Sequence, residues 1–151
     1  MFRVLLLAGL FAFVPFLVYS NAAPKRTVGT VIAAPEGDAL IIKTAGQRLM
    51  VRLAGIDAPQ LPQPFGLQSR EMLSALALGR DVECVEQAPY RSNGIIAFCS
   101  VANVDLSAEQ VRRGMAWAYD AYDQLRAEQD QVQALRVGLW VDRSPVPPWR
   151  W

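Results

Sequence analysis

The chain has 151 residues, with 15 lysines and arginines, 14 aspartates and glutamates, and a formal net charge of +1. It contains no histidine, which excludes Ser-His-Asp and Cys-His nucleophile systems, histidine-ligated zinc and every nuclease that uses a histidine base. Any hydrolysis must therefore use carboxylates, arginines, a metal ion or water, and the length predicts one domain with its own core.

The first 22 residues are predicted to be a secretory signal peptide. Arg3 supplies a positive charge, residues 4–18 form an apolar run, and small side chains at Ser20 and Ala22 suit cleavage after Ala22. An uncleaved membrane anchor is the alternative, but the run is short for a span and Pro15 interrupts it. We therefore expect a periplasmic or secreted protein with no stable membrane span after cleavage.

Cleavage would leave a domain of residues 23–151 without net charge, because Arg3 is the one charged side chain that would be lost. A protein that binds nucleic acid mainly by neutralising phosphates usually has a clear basic excess. Neutrality argues mildly against a dedicated nucleic-acid-binding protein, but it is compatible with a local basic cleft.

The first half of the domain is predicted to be a three-stranded meander. Segments 27–32, 40–43 and 48–53 are rich in β-branched and apolar residues, which is typical of strands. Glu36-Gly37-Asp38 and Ala45-Gly46-Gln47 give the turns between them.

Two further strands, 81–86 and 95–101, are predicted on either side of a turn at Arg91-Ser92. Cys84 and Cys99 lie symmetrically about this turn, so a hairpin would place them opposite each other. A lone cysteine pair in an exported protein is typical of a disulfide. Two buried free thiols are the alternative, and they would suit a cytosolic protein better.

Apolar side chains at helical spacing predict three helices. The first covers residues 66–78, between the third and fourth strands. The second begins with a capping box, in which Ser107 caps the helix and Gln110 bonds back to it. The third ends at Gly138. The apolar positions of the second and third helices are Val111, Met115, Ala118, Tyr119, Leu125, Val132, Leu135 and Leu139.

The predicted order of elements is β-β-β-α-β-β-α-α, an α+β arrangement. A five-stranded barrel with a helix between its third and fourth strands is the oligonucleotide/oligosaccharide-binding (OB) architecture. Many unrelated functions use this fold, so the fold alone leaves the function open.

Several motifs resemble the staphylococcal nuclease (thermonuclease) family. Residues 51–59 read VRLAGIDAP, which is similar to the family's RLxGIDAPE, and residues 36–39 read EGDA, which resembles its DGDT turn. Further motifs follow in the family order at residues 64–66, 111–119, 138–140 and 148–149. The resemblance covers residues 27–149, so it implies that the whole predicted domain has the family's fold.

The resemblance implies calcium-dependent hydrolysis of phosphodiesters. Asp38 and Asp57 match the family's two metal-binding aspartates, and Ala58 stands where a backbone oxygen completes the Ca²⁺ site. Arg52 matches the first of two phosphate-binding arginines. Each residue also has an interpretation without a ligand: the aspartates would shape turns, and Arg52 would be their salt-bridge partner.

Two positions depart from the family pattern. Gln60 stands where the family has its general-base glutamate, and a carboxamide cannot accept a proton from water. The second phosphate-binding arginine falls on Gly94, although Arg91 lies three residues earlier on the same turn. Because a general base contributes on the order of 10²–10⁴ in rate, we expect a weak or inactive enzyme.

Several functions remain open as hypotheses. The first is a weak or inactive phosphodiesterase that binds an anionic ligand in the ancestral cleft, and the second is an active secreted nuclease acting on DNA or RNA. The third is an accessory protein of exopolysaccharide (succinoglycan-type) biosynthesis that binds an acidic polysaccharide, since exported proteins resembling this family occur in such gene clusters. A structural envelope protein is the fourth. The sequence does not indicate an oligomeric state.

Four tryptophans are candidates for a platform on which bases or sugars stack: Trp117, Trp140, Trp149 and Trp151. Trp117 and Trp140 occupy apolar helix positions and are predicted to be core residues instead.

Overall fold

The computed structural model describes residues 23–91 and 93–151, so the predicted signal peptide lies outside the described residues. Five strands, β1, β2, β3, β5 and β6, form the main body of this part. In chain order, the elements are β1 (Arg26–Glu36), β2 (Ala39–Thr44), β3 (Gln47–Leu53), β4 (Ile56–Asp57), α1 (Gly66–Ala77), β5 (Asp81–Tyr90), β6 (Gly94–Val101), β7 (Val104–Asp105), α2 (Leu106–Arg112), β8 (Trp117–Ala118) and α3 (Asp123–Leu135). Two short 3₁₀ helices follow, at Gly138–Val141 and Pro148–Arg150.

The five strands close into a barrel. β1, β2 and β3 form an antiparallel meander, and β5 pairs with both β1 and β6. A parallel pairing between β3 and β6 completes the circle. The predicted five-stranded α+β barrel with three helices is confirmed, and the short strands β4, β7 and β8 add to it.

The barrel core is built by alternating side chains, since successive residues of a strand point to opposite faces. Leu40 and Ile42 of β2 and Val51 and Leu53 of β3 are fully buried. Leu73 of α1 packs into the same core. Burying each large aliphatic side chain contributes about 1.5–3 kcal/mol.

β1 and β5 extend beyond their predicted ends. The predictions stopped where the β-branched runs stop, yet β1 continues through Pro35 and β5 through Pro89. A register shift between Ala33 and Glu36 includes Pro35, and another between Glu86 and Ala88 comes just before Pro89. Such bulges are where strands accept proline.

Cys84 and Cys99 form the predicted disulfide. They lie directly opposite each other in the β5–β6 hairpin, and both are buried in the core. The hairpin turn falls between Tyr90 and Gly94, as the symmetry of the cysteines predicted.

The predicted capping box at the start of the second helix is wrong. Asp105 is the capping residue, and its Oδ1 accepts a hydrogen bond of 2.9 Å from the Ala108 amide. Ser107 lies inside the first turn, where its hydroxyl donates to the Ala54 carbonyl at 2.8 Å. Asp105 and Ser107 are both residue types that can cap a helix. Because the Ser107 hydroxyl bonds to Ala54, outside the helix, Asp105 is the cap.

The second helix is also shorter than predicted. It ends at Arg112, and Gly114 then turns the chain with a φ of 64°. After a bend at residues 115–116, the strand Trp117–Ala118 pairs with Ile56–Asp57. The prediction that Trp117 is a core residue holds, but its side chain projects from a strand rather than a helix.

The third helix ends at Leu135 rather than Gly138, because Arg136 takes the left-handed conformation with a φ of 53°. Leu135 is therefore exposed, contrary to its predicted place on the apolar face, whereas Leu125 and Val132 are buried as predicted. Within residues 23–91 and 93–151, no helix is long and apolar enough to cross a membrane.

Removing the disulfide should lower the free energy of unfolding by about 3 kcal/mol, because the bond closes a loop of 15 residues in the unfolded chain. The test is urea denaturation of the protein and of the double variant Cys84→Ala with Cys99→Ala. Dithiothreitol should destabilise the parent to a similar extent and leave the double variant unchanged. Equal stability of the oxidised and reduced parent would contradict this expectation.

Candidate functional site

Asp38 lies on the tight turn between β1 and β2, in which Glu36 pairs with Ala39. The turn packs so closely that a Cβ on Gly37 would lie 1.8 Å from Ser69 Oγ. The Asp38 side chain is fully buried. This Gly-Asp turn is therefore fixed by packing as well as by its own hydrogen bonds.

Gln110 of α2 supports the same turn from the protein interior. Its Nε2 donates to the Gly37 carbonyl at 2.6 Å and to the Ser69 carbonyl at 3.0 Å. The Ser69 hydroxyl donates in turn to the Met115 carbonyl at 2.7 Å. These buried bonds connect α1 and α2 to the backbone that carries Asp38.

Asp57 reaches the site through β4, a strand of only two residues. Gly55 precedes it with a φ of 81°, a conformation that favours glycine. β4 pairs with β8, and Asp57 lies opposite Trp117. This pairing holds Asp57 next to the end of β3.

Arg52, near the end of β3, brings the two aspartates together. Its Nη2 donates to Asp38 Oδ2 at 2.9 Å and to Asp57 Oδ1 at 3.3 Å. Its Nη1 donates to Glu36 Oε2 at 3.0 Å. One guanidinium thus contacts three carboxylates. The salt bridges with the two aspartates match the interpretation of Arg52 as their partner, and the contact with Glu36 was not predicted.

Burial raises the pKa of Asp38 from its ordinary value of 3.8 to about 7, because desolvation outweighs the attraction of Arg52 and the bond from the Ala58 amide. That bond, from Ala58 N to Asp38 Oδ2, measures 2.8 Å. Burial likewise raises the pKa of Asp57, against the lowering effect of Arg52. Both carboxylates are thus poorly solvated and favour any group that supplies positive charge.

The donor set at this position fits a hard cation. Asp38 Oδ1 is buried and accepts no hydrogen bond from any residue that the structure describes, which is costly for a carboxylate oxygen. The Asp57 carboxylate shares the Arg52 contact with Asp38, and the Ala58 carbonyl accepts a long bond of 3.5 Å from Gln60 Nε2. Among the residues that the structure describes, no cluster of three acidic or cysteine side chains could hold a metal. The fit therefore depends on two carboxylates and a carbonyl.

A cleft of about 600 Å³, which we call the arginine cleft, opens beside Arg52 and Gln60. Three guanidinium groups line it, from Arg48, Arg52 and Arg91, against the single carboxylate of Glu36. Arg48 and Arg52 share this face because they lie four residues apart on β3. The neutral domain predicted from the composition thus contains a locally basic cleft.

Known proteins are similar to this chain over most of its length. Residues 50–142 match the family model described as "Staphylococcal nuclease homologue". The chain belongs to the staphylococcal nuclease family. It is 34% identical over 141 residues to a Haemophilus influenzae protein named "Uncharacterized endonuclease", with 90% of this chain and 79% of that protein covered.

Two other relatives in the staphylococcal nuclease family are similar over most of their length. An Escherichia coli protein, also named "Uncharacterized endonuclease", is 30% identical over 127 residues, which cover 82% of this chain and 83% of that protein. The "Micrococcal nuclease" of Shigella flexneri is 29% identical over 149 residues, which cover 89% of this chain and 86% of that protein.

Gln60, which stands where the resemblance places the family's general base, lines the arginine cleft. Its backbone amide donates to Gln63 Oε1 at 2.8 Å, which holds the loop after Pro59 in place. Gln60 therefore lies beside the cleft, where a residue that orients the attacking water has to be. It has no carboxylate with which to remove a proton.

Gly94, where the resemblance places the family's second arginine, leaves little space for a side chain. A Cβ on Gly94 would lie 2.6 Å from the Tyr90 carbonyl oxygen and 3.1 Å from that of Met50. Arg91 brings a guanidinium to the cleft from the same hairpin turn. Its Cζ lies 5.3 Å from the centre of the Tyr90 ring, which is within cation–π range.

Arg48 was not among the site residues predicted from the sequence, and Tyr119 was predicted only on a helix face. Arg48 could have been found from the alternation along β3, since Arg48, Met50 and Arg52 share a face. Tyr119 was placed on a helix, whereas its amide donates to the Gly55 carbonyl at 2.9 Å, next to Asp57. Asp57 affects the Tyr119 hydroxyl directly, because its charge adds to burial in raising the pKa of Tyr119.

The metal-free protein should lose stability as the pH rises from about 4 to about 7, because the folded state binds a proton on Asp38 more tightly than the unfolded state does. The extra stability is complete below the ordinary pKa of 3.8 and disappears as Asp38 ionises near pH 7. Relative to Asp38→Asn, which does not titrate, we expect a decline of at most about 1.4 kcal/mol per pH unit. Asp57 acts in the same direction.

The measurement is urea denaturation in EDTA at several pH values. Asp130→Asn, a change at an exposed carboxylate of α3, is the matched control and should keep the pH dependence of the parent. The difference in free energy of unfolding between the parent and Asp38→Asn could instead stay constant, or grow in favour of the parent, as the pH rises from 4 to 7. Either result would show that Asp38 is ionised throughout this range.

Proposed function

We propose that this protein binds phosphodiesters of nucleic acid in the arginine cleft and hydrolyses them slowly with the help of a bound Ca²⁺ ion. The observation that carries this proposal is the convergence of Arg48, Arg52 and Arg91 on one cleft. Arginine suits a phosphate because its planar fork of N–H donors matches the phosphate oxygens.

Charge makes an anion the best ligand for this cleft. In the part of the chain that the structure describes, Arg48 and Arg91 pair with no carboxylate, whereas Arg52 pairs with Glu36, Asp38 and Asp57. Apolar side chains of Ile41 and Met50 line the cleft beside the arginines. A ligand with alternating charged and flat apolar groups, such as a polynucleotide, would satisfy both kinds of surface.

The cation would be held by Asp38, Asp57 and the carbonyl of Ala58, as oxygen ligands suit Ca²⁺. When bound, it would stabilise the negative charge that develops on the reacting phosphate. Arg52 reaches both the aspartates and the cleft, so it is placed to hold a phosphate oxygen next to these carboxylates.

Gln60 limits the rate in this proposal. Its carboxamide oxygen can accept a hydrogen bond from a water molecule and orient it, but it cannot remove the proton. The site therefore keeps Arg52 to bind the phosphodiester, has Arg91 in the cleft where the family's second arginine is missing, and lacks the group that activates the nucleophile.

Export to the periplasm or the medium forms part of the proposal. The pattern of residues 1–22 supports it. The Cys84–Cys99 disulfide also supports it, since such bonds persist in oxidising compartments. An acidic polysaccharide would present similar negative charge to the arginines, so it belongs in the binding experiments as a competitor.

Gln60→Glu should increase calcium-dependent cleavage of single-stranded DNA by on the order of 10²–10⁴, because it restores a proton acceptor beside the cleft. Gln68→Glu, at an exposed position on α1, adds the same charge away from the cleft and should leave the rate unchanged. Adding Asp38→Asn or EDTA to the Gln60→Glu protein should abolish cleavage. Fast cleavage by the parent, with no gain from Gln60→Glu, would refute the proposed role of Gln60.

Arg91→Gln and Arg48→Gln should each weaken binding of single-stranded DNA and reduce the salt dependence of binding. The slope of log K against log salt should fall by about 0.7 for each phosphate that the variant no longer neutralises. Arg113→Gln, which removes an arginine paired with Glu109 on α2, is the matched control and should change neither quantity. Binding by the parent that does not respond to salt would contradict a phosphate-binding cleft.

A further inference from the structure

A second, smaller cavity is bounded by the C-terminal segment, and the residues that line it are different from those of the arginine cleft. Its volume is about 60 Å³, and we call it the aromatic cavity. Three aromatic rings line it together with one carboxylate and four apolar side chains: Phe65, Trp117, Trp151, Asp142, Pro64, Leu139, Pro145 and Val146. Aromatic rings combined with a negative charge attract an organic cation.

The inner wall of the aromatic cavity is fixed by packing. Trp117 and Leu139 are buried, and Trp117 packs edge-on against the buried Trp140 with ring centres 5.3 Å apart. Phe65 packs against the same cluster. A site whose walls are already ordered loses little freedom when a ligand binds.

Trp151 forms the outer wall of the cavity. It is 63% exposed, so most of its ring is in contact with water. The Trp151 amide donates to the Pro148 carbonyl at 3.2 Å. Trp149 is also exposed, but it lines a different cavity. A ligand that covers the Trp151 ring would remove apolar surface from water, which stabilises the complex.

Asp142 gives the aromatic cavity its negative charge. Its Oδ1 accepts a hydrogen bond of 2.9 Å from the Ser144 amide. In the part of the chain that the structure describes, no lysine or arginine forms an ion pair with Asp142. Arg143 and Arg150 are close in the sequence, but both are exposed and neither lines the cavity. The charge of Asp142 is therefore available to a cation.

The lining suits a quaternary ammonium group better than a primary one. A primary ammonium carries three N–H donors that need acceptors, whereas the walls are mostly apolar and Asp142 supplies the carboxylate. A trimethylammonium group has no N–H donor, and aromatic faces attract it. One water needs about 10–15 Å³, so about 60 Å³ admits a group of about four or five non-hydrogen atoms, which is the size of trimethylammonium.

We propose that Phe65, Trp117, Trp151 and Asp142 form a binding site for a quaternary ammonium group. The rings contact its methyl groups, and the carboxylate balances its charge. Free choline-type compounds and the headgroup of phosphatidylcholine share this chemistry. The site goes beyond the proposed phosphodiesterase function, because none of its residues lines the arginine cleft and the group that it recognises is positively charged.

The probes are tetramethylammonium, choline and the uncharged alcohol in which carbon replaces the nitrogen of choline. Choline and this alcohol have the same shape, so comparing them isolates the effect of the positive charge. The measurement is an NMR titration of the tryptophan indole N–H signals, in which Trp151→Phe identifies the Trp151 signal by its loss. We expect both cations to shift this signal to saturation and the alcohol to bind several-fold more weakly. Equal binding of choline and the alcohol, or no shift with either cation, would overturn the proposal.

Trp151→Leu should weaken binding of tetramethylammonium about 2- to 30-fold, the range for the loss of one cation–π contact, because leucine is apolar but has no aromatic face. The Trp117 signal reports binding in this variant, and Trp151→Phe should bind more tightly than Trp151→Leu. Asp142→Asn should weaken binding more at low salt than at high salt, because its effect is an attraction between charges. Asp130→Asn, at an exposed position on α3, is the matched control and should change nothing. If Trp151→Leu and Asp142→Asn both bind as tightly as the parent, the assignment to this cavity is wrong.

Vesicles distinguish the two sources of the quaternary ammonium group. Sedimentation of the protein with phosphatidylcholine vesicles, and not with phosphatidylglycerol vesicles, would assign the site to a lipid headgroup. Binding of choline without sedimentation would assign it to a soluble compound. These experiments contain no nucleic acid, so their outcome does not depend on the proposed cleavage of phosphodiesters.

Discussion

The contacts of the Arg52 guanidinium hold the end of the barrel together. They connect Glu36 at the end of β1, Asp38 on the turn to β2, and Asp57 on β4. Asp38 is fully buried, and a buried carboxylate is tolerated only when it is protonated or compensated by positive charge. The short strand β4 has only two residues, so its position depends on this ion network and on its pairing with β8.

The same dependence shapes the proposed function. A phosphate that recruits Arg52 competes with Asp38 and Asp57 for its guanidinium, and the loss of that partner would leave both carboxylates uncompensated in a poorly solvated place. A cation bound by the two aspartates would supply the missing positive charge. Cation and phosphate binding should therefore reinforce each other, through the charge balance around Arg52 rather than through movement of the barrel.

Local patterns were enough to predict the barrel, the hairpin and the disulfide, because strand alternation and turn residues act over a few neighbouring positions. The expectation that Asp38, Asp57 and Arg52 belong to one site came from the resemblance to the staphylococcal nuclease family. The strand at Trp117 could not be predicted from neighbouring residues, because its two residues form a strand only by pairing with Ile56–Asp57, which is distant in the sequence. The capping box failed for a similar reason: Gln110 bonds to Gly37 of a distant turn instead of to its own helix.

The three arginines of the cleft differ in what they contribute to binding. Arg52 is already neutralised by carboxylates, whereas no carboxylate pairs with Arg48 or Arg91 in the part of the chain that the structure describes. Arg91 is held against the uncharged ring of Tyr90, which orients its guanidinium without cancelling its charge. The attraction of the cleft for a distant anion thus comes mainly from Arg48 and Arg91. Arg52 acts only at contact, where the phosphate and the two aspartates meet.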